Sequence, residues 1–136
     1  MDYALIEDRS YLKILNISAL AFVFFPLLGI LLPFIFWVMK RDKIKDTDYT
    51  GKKILNFQIT WCFLVFAYYA IFILMMVVHS DLTVKIFSAL TLHSPLGPVL
   101  FILALDLINA IYIIFNEVLI YRGKQVFYKP AIRFLK

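Results

Sequence analysis

Four polar side chains stand inside the last apolar run of this chain, PVLFILALDLINAIYIIFNEVLIY: Asp106, Asn109, Asn116 and Glu117. At ~100° per residue in a helix they fall within roughly one third of the circumference, so one face carries all of them. An acid at mid-membrane depth costs ~2.5–3.5 kcal/mol on insertion scales. Asp106 must therefore face protein or a wet cavity. Three kinds of chemistry fit such a face: hydrogen bonding between helices, proton or ion handling at Asp106, and the lining of a polar path or subunit contact.

A second polar group opens the preceding apolar run, where Asn56 and Gln58 flank Phe57, with Tyr68 and Tyr69 deeper in the same run. If the two runs are antiparallel helices with level ends, Asp106 and Asn109 lie opposite residues 67–70. Asn116 and Glu117 then lie opposite residues 59 and 60, one turn from Gln58 and Asn56. This counting predicts two polar layers, Asp106 and Asn109 with a tyrosine, and Asn116 and Glu117 with Gln58 or Thr60. Hydrogen bonds of this kind contribute ~0.6–1.7 kcal/mol each between membrane helices, and structural glue is the leading reading. A relay centred on Asp106 has no basic partner in its run. The Asn56–Gln58 element reads as a helix-start cluster holding the basic loop before it, or as a docking or path-lining site.

Enzymatic chemistry finds no support. The chain has no GxSxG, HExxH or glycine-rich phosphate loop, and no nucleophile and base at usable spacing. The run His79-Ser80-Asp81 reads as a solvated loop. The single cysteine, Cys62, has no internal disulfide partner and reads as a packing residue. His79 and His93 lack the neighbouring ligands of a metal site. The expectation is a non-enzymatic protein with no cofactor.

The elements that must position these residues are three apolar stretches, about residues 14–39, 54–78 and 98–121. Each supplies the ~20 apolar residues of a bilayer crossing. Of 136 residues 63% are hydrophobic, and 14 are Phe against 4 Gly. A soluble domain of this size buries only ~60–70% of its surface, so lipid is the expected solvent. The formal net charge of +5 sits at the edges of apolar segments, which fits anionic lipid headgroups and argues against nucleic acid. The N-terminus MDYALIEDRS is acidic rather than basic, unlike a cleavable signal, and the first apolar run reads as retained.

Pro26, Gly29 and Pro33 interrupt the first stretch. Proline removes a backbone donor and clashes with the preceding turn. Two architectures follow: a hairpin of short helices at about 11–25 and 27–40, or one kinked span, which makes three spans in all. Long helices are expected at about 50–79 and 97–122, with a short interfacial helix at about 82–92. The basic, aromatic tail GKQVFYKPAIRFLK suits the headgroup layer. Six Lys or Arg lie in the gap before the second stretch and five in the tail, against one in the next gap and two at the N-terminus. The positive-inside rule then places the C-terminus in the cytoplasm. The hairpin puts the N-terminus there too and leaves a single base outside, so it is mildly favoured.

The segments PLLGILLPFIFWVMKRDK, GKKILNFQIT and RGKQVFYKPAIRF resemble the Tic-twenty-like family of small bacterial membrane proteins, related to a chloroplast inner-envelope protein-import component. The resemblance covers about residues 11–134. Its most specific element is Gly51-Lys52 followed by Leu55-Asn56-Phe57-Gln58, with Thr50 where the family often has His and Ile54 where it often has Ala. The resemblance implies four helices in a bacterial inner membrane. It also implies a small subunit or accessory factor of a complex, in protein translocation or membrane-protein assembly, with other membrane subunits or further copies as partners. The alternative from the residues is a self-assembling channel or transporter whose path is lined by Asp106 and Glu117.

Overall fold

The structure, a computed structural model, describes residues 3–44, 46–77 and 96–135. It is all-helical over these residues, apart from turns and an extended tail. Helix α1 spans Tyr3–Ser18, a 3-10 turn Ala19–Val23 follows, and α2 spans Leu28–Lys40. Helix α3 spans Thr47–Val77 and α4 spans Leu96–Tyr121. The interfacial helix expected at 82–92, His79 and His93 lie outside the described residues.

The first apolar stretch is two helices. Pro26 sits in the break, where a missing N–H prevents the helix from continuing. Helix α1 begins at Tyr3 rather than near residue 11, and it ends where the Ser18 hydroxyl donates back to the Leu15 carbonyl at 2.7 Å. The two arms lie side by side. The Tyr11 hydroxyl donates to the Phe36 carbonyl at 2.7 Å, and Phe22 packs on Gly29 so closely that a Cβ there would fall 2.7 Å from its Cα. With 13 residues, α2 is ~20 Å long, too short to cross a ~30 Å hydrocarbon core.

Helix α3 follows a left-handed turn at Asp46, whose φ is 63°. Its first turn docks on α2: the Asp48 carboxylate pairs with Lys52 at 2.6 Å and accepts from Trp37 Nε1 at 3.1 Å. Gly51 faces the Trp37 ring with no room for a side chain. No proline or glycine interrupts the rest of α3, which runs for 31 residues. At ~1.5 Å per residue that is ~46 Å, long enough to keep the charged first turns clear of the hydrocarbon. Helix α4 ends at Gly123, φ 67°. There the Lys124 N–H reaches the Leu119 carbonyl and the Gly123 N–H the Ile120 carbonyl, both at 2.9 Å, a Schellman closure.

Among the described residues, helices α3 and α4 are the two long and apolar enough to cross a membrane, over Thr47–Leu74 and Gly97–Tyr121. Their backbones do not come into the close contact that the level-ended pair assumed, and they meet through long side chains such as Tyr68 on Phe101. Helix α2 lies on α3 and α1 on α4, and α1 with the 3-10 turn fills the space between. Many large apolar side chains of both long helices point outward, Leu74 and Leu107 each 62% exposed. Lipid, rather than water, is the solvent such a surface tolerates.

The core is confined to one end. Leu15, Phe22, Ile54, Phe57, Trp61, Val65, Ile113 and Ile120 form it, closed by Val126 and Tyr128 from the tail. The tail is therefore not simply laid on the headgroups. It returns into the bundle.

Candidate functional site: a polar core that captures the tail

The buried polar residues form successive ties. The deepest is a reciprocal amide pair, in which Asn109 Nδ2 donates to Gln58 Oε1 at 3.2 Å and Gln58 Nε2 donates to Asn109 Oδ1 at 3.4 Å. Gln58 Nε2 also reaches the Ala19 carbonyl at 3.4 Å, so this layer joins α3, α4 and the hairpin. Both side chains are fully buried.

Asn16 makes the next tie. Its Nδ2 donates to the Ile113 carbonyl at 3.0 Å and to Glu117 Oε2 at 3.2 Å, while its Oδ1 accepts from the Tyr128 hydroxyl. Burial, and secondarily the Glu117 carboxylate, push the Tyr128 phenol well above its ordinary pKa, keeping it the donor. Phe57 packs against Tyr128, Tyr112 and Trp61, with ring centroids 4.7, 5.3 and 5.5 Å away.

The remaining ties bind the tail backbone. An extended strand outside any sheet must find partners for its N–H and C=O groups. Side chains supply them here. Asn116 accepts from the Phe127 N–H and donates to the Phe127 carbonyl at 2.9 Å, completing both halves of a ladder pair. Asn56 Oδ1 accepts from the N–H groups of Phe134 at 3.0 Å and Leu135 at 2.8 Å, and its Nδ2 donates to the Leu135 carbonyl at 3.0 Å. The Thr60 hydroxyl accepts from the Ile132 N–H at 2.9 Å, and Lys53 Nζ donates to the Val126 carbonyl at 3.0 Å.

The two expected layers are thus rearranged. Asn109 pairs with Gln58 instead of a tyrosine, because the register between α3 and α4 is shifted by about two helical turns from level ends. The short hairpin wedged between the long helices sets that register. Asn116 serves the tail and Glu117 serves Asn16. Tyr68 stacks on Phe101, with centroids 4.5 Å apart. Asp106 is half-buried at the edge of an apolar groove that Tyr69 also lines, and among the described residues nothing hydrogen-bonds to it. Asp106 lines this groove, whereas Glu117 meets Asn16.

Asn16 and Tyr128 were missed in the sequence reading. The signal for Asn16 was present: a lone amide in the apolar run KILNISAL needs a buried partner. Tyr128 belongs to the tail that the sequence assigns to the headgroup layer, because nothing local shows a tail folding inward.

Among the described residues no group of three or more His, Cys, Asp or Glu converges. The network consists mainly of neutral amides and hydroxyls with satisfied hydrogen bonds. Such groups hold positions.

No curated protein and no solved structure matches the chain. One family model does: the MamF/MmsF family, described as the magnetosome magnetite crystal formation protein family, matches residues 7–135. This overturns the Tic-twenty-like resemblance and, with it, the support for protein translocation; a channel gains no support either. The residues that carried the resemblance have structural duties. Gly51 admits α3 against Trp37, Asn56 holds the tail, and Gln58 pairs with Asn109. Small residues at helix contacts and buried amides are general needs of helices packed in lipid, which is why so short a run misleads. The chain, with its two membrane-length helices, belongs to the MamF/MmsF family of magnetosome magnetite crystal formation proteins.

Proposed function

We propose that this chain is a non-enzymatic integral protein of the magnetosome membrane that conditions magnetite crystal growth from within the bilayer. Helices α3 and α4 cross the membrane, and the network of Asn16, Asn56, Gln58, Asn109, Asn116 and Glu117 acts as structural glue. The end that carries the basic loop and the tail faces the cytoplasm, as the distribution of Lys and Arg favours. Both termini lie on that side. The opposite ends of α3 and α4 then face the compartment where mineral forms. The observation that carries this reading is the family match over residues 7–135, joined to two helices of membrane-spanning length.

The test is deletion of the gene in a magnetite-forming host, with crystal dimensions measured by electron microscopy. Deletion should change crystal size or shape, and the wild-type chain should restore it. Crystals of unchanged dimensions, or a chain that fractionates away from the magnetosome membrane, would refute the proposal.

A further inference from the structure

We infer that the pocket between the start of α3 and the tail binds a phosphate group, carried by the headgroup of an anionic lipid. The cavity, about 390 Å³, is lined by Lys52 and Lys53 from α3 and by Lys129 and Arg133 from the tail. Phe127, Ala131 and Leu135 give it an apolar side. Four cationic side chains therefore line one concavity.

Their charge is largely uncompensated. Asp48 pairs with Lys52, and among the described residues no carboxylate pairs with Lys53, Lys129 or Arg133. Lys53 Nζ lies 4.2 Å from the Tyr49 ring centroid and Lys129 Nζ 5.7 Å from that of Phe127. These contacts orient the ammonium groups without neutralising them. Gathering like charges costs energy that a bound anion would relieve.

The arrangement is also held in place. Asn116 fixes the backbone at Phe127, Thr60 at Ile132, and Asn56 at Phe134 and Leu135. Lys129 and Arg133 lie between those anchors, so binding an anion there orders little additional backbone. Depth selects the source of the phosphate. The pocket stands at the charged end of a helix longer than the hydrocarbon core, where basic pockets beside membrane helices take anionic headgroups. The apolar side offers a surface to the glycerol and first acyl carbons of the same molecule. None of this depends on a role in crystal growth.

The experiment is native mass spectrometry of the full chain, released from micelles and titrated separately with short-chain phosphatidylglycerol, phosphatidylcholine of equal chain length, and inorganic phosphate. Phosphatidylglycerol should bind about tenfold or more tighter than phosphatidylcholine, and Lys129→Gln with Arg133→Gln should remove about tenfold of that affinity. Removing the same charge elsewhere, with Lys43→Gln and Lys124→Gln, should change it by less than about twofold. The charge-preserving pair Lys129→Arg and Arg133→Lys should bind as the wild type does. Inorganic phosphate binding as tightly as the lipid, and lost in the same Gln pair, would keep the phosphate site and reject the lipid as its source. Equal loss from both Gln pairs, no loss from the first, or loss in the charge-preserving pair would overturn the proposal.

Discussion

The two ends of this molecule obey different rules. Toward the tail, α3 and α4 each bury one face between Thr47 and Val65 and between Asn109 and Ile120, with seven of the eight buried polar residues of the described chain. Toward the other end, residues 66–74 and 99–108 turn almost entirely outward, and Asp106 stands there without a hydrogen-bonding partner among the described residues. Both ends are rich in Leu, Ile and Phe. Hydrophobicity therefore does not explain which end is packed. In lipid an apolar side chain gains little by touching another helix rather than an acyl chain, and association relies on close packing and hydrogen bonds. The packed end is the end that has amides to pair and a tail to hold.

This contrast is easiest to break at Asn116. Replacement by Leu removes both partners of Phe127 and leaves a part-buried N–H and C=O unpaired, each costing up to ~1–3 kcal/mol. Asn116→Leu should destabilise the fold by about 2–4 kcal/mol in mixed-micelle unfolding, with the tail becoming protease-sensitive. Unchanged unfolding would show that the tail does not depend on this tie. The Gln58–Asn109 pair should have a smaller effect. A double-mutant cycle with Gln58→Leu and Asn109→Leu should return a coupling of about 0.6–1.7 kcal/mol, the range of such bonds in membranes. A coupling near zero would move the origin of packing from the amides to shape alone.

Asp106→Asn should matter least for stability. With no partner to lose among the described residues, unfolding should shift by less than about 0.5 kcal/mol. A large loss would mean that the open end is also organised by a polar contact. Loss of crystal-forming function with normal folding and insertion would instead assign Asp106 a role beyond glue.

Much of this was legible from the residues. The polar face of α4 was readable because spacing alone puts Asp106, Asn109, Asn116 and Glu117 on one side of any helix. The break at Pro26 was readable because a proline has no N–H to give. The pairing of Asp48 with Lys52 follows from the same kind of local rule, because i,i+4 neighbours meet on every helix. The partners of the polar residues were not readable. Level helix ends were assumed, and a hairpin wedged between α3 and α4 shifted the register. The family was misread for a related reason, since a short run of helix-packing residues says more about packing than about ancestry.

By itself, then, the sequence determined the local features: helices that lipid must solvate, the breaks between them, the faces that carry polar groups and the side of the membrane that its cations favour. These depend on neighbours within a few residues and on backbone chemistry. The tertiary structure decided which amide meets which and that the tail is a core element. It also decided that four cations from distant segments surround one pocket. Those outcomes depend on how segments roughly 75 residues apart come together, as in Lys53 with Val126 or Asn56 with Leu135, and no local pattern encodes that register.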